Sequence, residues 1–406
     1  MVRNLPVAPR THDLACRPRF HVASRSVATS WIRTSTLSVV LAVLAVAACA
    51  DADEPERDEV HGTGAPPAAS DRESAPPAPV DATITPQPRP ITIAFAGDVH
   101  FEGSLEARLD DPRTALSSIA PELSAADLTV VNLETAIGTG GNPEPKRFTF
   151  QAPPRAFEAL AAAGIDVVTM ANNHAGDFGL DGIRQALDAA DVARSASPPL
   201  AVVGVGRDAD EAFAPATVDI GGVTVAVLGA SAADDDPTAD PTGHLAATND
   251  QPGTADAVDP TLLVRAVERA RAEADLVVVY LHWGIQGQSC PSDAQTELAR
   301  ATAEAGAHVV VGSHAHRLQG AGMLGDTFVA YGLGNFAWYT QASTATTATG
   351  ILTVTVDGGT VTKHEWTPAV IGPDGLPHPA DGTEAERMTD EFAQLTDCTD
   401  LEPLSR

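Results

Sequence analysis

The side chains able to do chemistry lie in five short polar clusters: Gly97-Asp98-Val99-His100, Asn132-Leu133-Glu134, Asn172-Asn173-His174, His282-Trp283-Gly284 and Gly312-Ser313-His314-Ala315-His316. Five of the 12 histidines fall inside them. Imidazoles, carboxylates and amides cost free energy to bury unless they are paired or ligated, so such a gathering points to a site. Asp98 with His100, and His314 with His316, stand two residues apart, which in extended backbone puts both side chains on one side and suits capture of a cation. Mixed oxygen and nitrogen donors favour divalent ions such as Mn, Fe or Zn. Two such ions need a carboxylate able to bridge them, for which Glu134 is the candidate, and a paired site can stabilise both attacking and leaving oxygens in hydrolysis. His174 is left for proton transfer.

The elements that must position these clusters are legible in the apolar pattern. Short β-branched runs at 91–96, 128–133, 166–170, 276–281 and 308–312 alternate with helical stretches at 113–125, 155–163, 181–190, 260–273 and 293–305, which predicts a parallel sheet with crossover helices. Each cluster then sits at a strand's carboxyl end, where ligands bind in open α/β sheets. Further runs at 216–220 and 223–229, then 327–331, 351–356 and 360–364, are expected as hairpins around Gly-Gly turns. The whole reads as two sheets packed face to face with helices outside. The segment 232–258 is expected as a long acidic surface loop.

A net charge of −29 argues against a phosphate-backbone partner, so nucleic acid is excluded. At the N-terminus, Arg25 and Arg33 precede an apolar run over 37–48, too short for the roughly 20 residues of a spanning helix and suited to a signal peptide. The run ends Val46-Ala47-Ala48-Cys49, which resembles a lipobox; residues 1–48 are expected to be removed and Cys49 to carry lipid at the outer face of the cell membrane. Residues 49–90, rich in Pro, Ala and acidic groups, cannot bury enough apolar surface to order themselves and are expected as a disordered tether. Of four cysteines, Cys16 lies in the leader and Cys49 is assigned, leaving Cys290 and Cys398. Outside the cytoplasm such a pair is expected to form a disulfide that pins the tail to the loop after His282-Trp283-Gly284, the alternative being two free thiols.

Taken in order, the five clusters together with Asp177, Gly179 and Gly332-Leu333-Gly334-Asn335-Phe336 resemble the poly-gamma-glutamate capsule synthesis (CapA) family over about residues 91–368. That family is itself similar to calcineurin-like metallophosphoesterases. The resemblance implies an α/β fold, a metallophosphoesterase-like two-sheet sandwich flanked by helices over 91–370, with 371–406 as a tail packed on it. It implies Asp98, Glu134, Asn173, His282, His314 and His316 as ligands of two divalent metal ions (Mn, Fe or Zn), and His174 as the general acid; His100 completes an Asp-x-His pair of the phosphoesterase type. Glu134 stands where phosphoesterases usually supply an aspartate after glycine, and Asn172 where a glycine is usual. Arg147, Arg317 and Asn335 are expected substrate contacts, and Lys146 a possible further cation for phosphate. The function implied is a membrane-anchored, extracytoplasmic hydrolase or transferase acting on an anionic envelope or capsule polymer, alongside membrane proteins of the synthesis machinery. Two rival readings are a non-catalytic assembly component and a conventional phosphoesterase. The acidic surface would repel polyglutamate except where metals or the cations Lys146, Arg147 and Arg317 reverse the local sign.

Overall fold

A computed structural model describes residues 89–238 and 245–404. The expected leader, the lipidation site Cys49 and all but the last two residues of the expected tether lie outside the described residues.

The chain builds half of one sheet, then a second sheet, and then returns to the first. Strands β1 (Ile91–Val99), β2 (Leu128–Leu133), β3 (Val167–Thr169) and β4 (Ala201–Val203) run parallel. Strands β5 (Ala216–Ile220), β6 (Val223–Ser231), β7 (Leu276–Trp283), β8 (Val309–His314), β9 (Ala321–Leu324) and β10 (Thr327–Ala330) form the second sheet in the order β9-β10-β8-β7-β6-β5. The return strands are β11 (Asn335–Ala337), β12 (Ala348–Asp357), β13 (Thr360–Ile371) and β14 (Pro377–Pro379). They complete the first sheet as β14-β13-β12-β1-β2-β3-β4, with β11 pairing β1 beyond the end of β12.

Alternation along the parallel strands explains the layers. Ile93, Phe95, Val130, Val225, Val227, Val278, Tyr280, Val309 and Val311 fill the space between the sheets. Their sequence neighbours point outward: Ala94, Ala96 and Val131 under α1 (Arg155–Ala162) and α2 (Gly179–Arg194), and Val277, Val279 and Val310 under α3 (Thr261–Glu273) and α4 (Asp293–Glu304). Strands buried on both faces must be apolar throughout, as these runs are. The tail closes the second side. β14 pairs β13, Phe392 of α5 (Gly382–Gln394) stacks on Trp366 at 4.3 Å, and a Cys290–Cys398 disulfide joins positions 108 residues apart.

Three expectations are corrected. The helix read over 113–125 is a short 3-10 turn, Pro112–Thr114, and a four-residue helix, Ala120–Leu123; Pro121 lacks the N–H and clashes with the preceding turn, so no helix can run through it. The strand at 327–331 pairs antiparallel with β9, which the sequence reading lacked, and parallel with β8. The segment 232–258 is no simple surface loop: Ala233, Ala255 and Ala257 are buried, and Asp236 reaches the polar centre. No helix among the described residues is long and apolar enough to cross a membrane.

Candidate metal centre

All five clusters meet at the carboxyl edges of the two sheets. Asp98 lies opposite Asn132 in the β1–β2 register, and His282 opposite Ser313 in the β7–β8 register. Gly97 allows this convergence, because a Cβ there would lie 1.9 Å from the Gly334 carbonyl oxygen, the atom that accepts the Asp98 N–H at 2.9 Å. At the last residue of β8 and two residues on, His314 and His316 adopt φ of 96° and 51°, left-handed values that are strained for a side chain other than glycine. Such strain persists where the surroundings over-determine it, and here it turns both rings of the His-Ala-His turn toward one centre.

Glu134 occupies the middle. It is fully buried, and neither of its carboxylate oxygens has a hydrogen-bond partner. Around Oε1 stand His282 Nε2 at 3.4 Å, His174 Nε2 at 3.9 Å and His316 Nε2 at 4.0 Å. Two ligand sets share this carboxylate, Glu134 with His282 and His314, and Glu134 with Asp98 and His316, each with its ligand atoms within 4.8 Å of one another. His314 Nδ1 is 3.1 Å from His282 Nε2, which also lies 2.7 Å from Asn173 Oδ1. Burial of an unpaired carboxylate is costly, whereas ligation of a cation satisfies both oxygens, so the residues present fit a pair of divalent ions.

Electrostatics agree with a site built for positive charge. Burial, followed by the charge of Asp98, pushes the Glu134 carboxyl well above the usual range. His316 is raised to about 9: burial opposes its charge, but Glu134 and Asp98 outweigh it. Burial would also raise Asp98, yet the hydrogen bond to His316 and the nearby imidazoles hold it below the ordinary carboxylate range. Burial lowers His282 to about 3 and His314 to about 4, which keeps both rings neutral, the form that ligates metal.

A second layer of side chains orients these groups. The Asn172 amide donates to Asn132 Oδ1 at 3.0 Å, and the Asn132 amide donates to Asp98 Oδ1 at 2.8 Å. His282 Nδ1 lies 3.2 Å from both Ser313 Oγ and the Asn132 amide nitrogen, which together set the direction of the ring. His314 Nε2 faces Asp236 Oδ2 at 3.2 Å, a carboxylate–histidine pair that leaves Nδ1 toward the centre. Asp236 is itself held by the Gln286 and Thr238 N–H groups at 2.9 and 2.8 Å. The sequence reading missed it, because nothing local distinguishes Asp236 from its acidic neighbours.

His174 is positioned for proton transfer. Its Nδ1 donates to Asp177 Oδ2 at 2.7 Å, which fixes the tautomer and leaves the Nε2 lone pair facing Glu134. Burial lowers it to about 4 despite Asp177, so the resting ring is neutral and must first take up a proton before it can act as an acid. Phe150 stacks on it at 4.2 Å.

Two expected residues fall outside both ligand sets. The His100 ring packs among Phe150, Trp338 and Tyr339, with Nδ1 accepting the Glu102 N–H at 3.0 Å. The β1 register shifts between Asp98 and Val99, so the two-residue alternation that would align His100 with Asp98 is broken. Asn335 is buried, with Oδ1 2.8 Å from His316 Nδ1 and its amide donating to the Thr346 carbonyl, so it orients the His316 ring. Arg147 lies exposed at the rim over the Phe148 ring, and Arg317 donates to the His316 carbonyl at 3.0 Å.

Residues 92–340 match the profile of the bacterial capsule synthesis protein PGA_cap. The PGA biosynthesis protein CapA of Bacillus subtilis (strain 168) is 29% identical over 301 residues, covering 70% of this chain and 75% of that protein. The capsule biosynthesis protein CapA of Bacillus anthracis is 32% identical over 197 residues, covering 48% of this chain and 45% of its own. Among solved structures, a novel phosphatase from Mycoplasma pneumoniae aligns at 15% identity with a TM-score of 0.43, over 70% of this chain and 95% of that one. The profile match spans more than half of the 406 residues and contains every residue of the centre from Asp98 to Asn335, so the chain belongs to the bacterial capsule synthesis protein family PGA_cap.

Proposed function

We propose that this protein is a dinuclear-metal-dependent hydrolase or transferase that acts on an anionic envelope or capsule polymer, poly-gamma-glutamate being the polymer its relatives' names indicate. The observation that carries the reading is Glu134, buried, without hydrogen-bond partners, and shared by two ligand sets. Asp98, Glu134 and His316 would hold one ion; Glu134, His282, His314 and the Asn173 amide would hold the other. When bound, two such ions (Mn, Fe or Zn) supply Lewis-acid stabilisation of negative charge and lower the proton affinity of water.

The protein's own groups do the rest. Asp177 holds the proton on His174 Nδ1, so Nε2 can take a proton from the attacking group and give it to the leaving group, an amine nitrogen for polyglutamate or an oxygen for a phosphate ester. Phe150 and Trp338, packed on His174 and His316, limit water at that edge. Anchoring at Cys49 would place the centre outside the cell, facing the polymer and membrane partners of its synthesis.

The test is turnover of aryl phosphates and of polyglutamate by the metal-loaded protein. We expect hydrolysis of at least one, reduced about 10²–10⁴-fold in His174→Ala with metal content unchanged. Two bound ions with no turnover of either would favour the non-catalytic assembly component. Lipidation is read separately: a labelled fatty acid should be incorporated into the wild type and lost in Cys49→Ser.

A further inference from the structure

Lys146 is one of only two lysines in a chain that otherwise uses arginine. The sequence offers it as a possible phosphate contact, but the structure turns it inward. Its side chain is 2% exposed; Nζ donates to the Asn173 carbonyl at 2.7 Å and to Asp177 Oδ1 at 2.5 Å. A compact ammonium with three tetrahedral donors can serve a carbonyl and a carboxylate set at an angle, which a flat guanidinium fork does less well.

The same stretch grips Asp177 at two further points. The Glu144 N–H donates to the Asp177 carbonyl at 2.8 Å, and the Phe150 N–H donates to Asp177 Oδ2 at 2.6 Å. Thus both Asp177 oxygens are held from residues 144–150, while Oδ2 holds His174 Nδ1 and the Phe150 ring covers the imidazole. The Asn173 main chain, fixed by the same ammonium, carries the amide that faces His282 Nε2.

We propose that Lys146 is a positioning residue. Through Asp177 it fixes the tautomer and direction of His174, and through the Asn173 carbonyl it holds the Asn173 amide at the ion shared by His282 and His314. The second half rests on the metal-centre reading above; the first does not.

The full-length protein with ¹⁵N-labelled histidine tests both halves. Long-range ¹H–¹⁵N spectra, with His174 assigned by His174→Gln, should show a single Nδ1–H tautomer in the wild type and in Lys363→Met, a surface lysine paired with Glu365. Lys146→Met should give a mixture of tautomers and bind its weaker Mn²⁺ at least about tenfold less tightly. Should Lys146→Met fail to fold, Lys146→Gln, which keeps an N–H donor but no charge, is read in the same way. Wild-type tautomer and Mn²⁺ affinity in a folded Lys146 variant would overturn the inference, and so would loss of fold in both, which would make the role purely structural. A wild type that binds no Mn²⁺ would instead sink the metal centre, and the tautomer shift would still decide the role of Lys146.

Discussion

In the proposed centre Glu134 and Asp236 divide the work between a carboxylate that would ligate and one that orients. Asp236→Ala should leave the fold intact and weaken metal binding about 10–100-fold, because the His314 ring loses the acceptor that fixes it; a metal titration of the two proteins, compared at matched thermal stability, checks this. Protons offer a second test. Without metal, Glu134 holds its proton above the usual carboxylate range and His316 is raised to about 9, so both compete with metal for the same site. Loading must release protons, and affinity should rise with pH up to about 9, by on the order of tenfold per pH unit for each proton displaced. His282 and His314, lowered to about 3 and 4, are already neutral and add nothing in this window. Calorimetric titrations in buffers of different ionisation enthalpy should report the release; equal affinity at pH 6 and pH 8 would contradict it.

At the scale of elements, strand ends do the positioning, and one glycine permits it. Gly97→Ala would drive a Cβ to within 1.9 Å of the Gly334 carbonyl oxygen, so β1 and β11 must separate. We expect a loss of about 1–3 kcal/mol in denaturant unfolding together with weaker metal binding, since Asp98 and Asn335 lie across that seam. The parallel strands and most of their helices were legible because residues buried on both faces give unbroken apolar runs, and the converging polar residues were legible because they follow those runs directly. The placement of His100 outside both ligand sets was not legible, because a register shift is invisible in a two-residue spacing. Asp236 was missed because its role depends on a crossing between the loop after β6 and the loop after β7, where Gln286 donates to it. The helix expected over 113–125 was legible as broken, given Pro121, and the alanines around it misled.

Across the whole molecule, the disulfide and the tail brace the side of the centre that carries His314. Cys290 closes the loop whose Gln286 N–H holds Asp236 and whose Gly287 N–H donates to the Ala315 carbonyl, inside the His-Ala-His turn. Replacing both cysteines with serine should cost about 2–5 kcal/mol, measured by denaturant unfolding against the oxidised wild type. With a net charge of −29, the chain would accept the anionic polymer of the proposed function only where bound cations reverse the local sign, as they would at Glu134 and Asp98.

Whether Glu134 would be shared by two ions is read by electron paramagnetic resonance during Mn²⁺ titration. We expect two Mn²⁺ per chain with an exchange-coupled spectrum at full loading, replaced in Glu134→Ala by loss of metal or by the signal of isolated ions. A single ion per chain, or an uncoupled six-line spectrum from the fully loaded wild type, would contradict it.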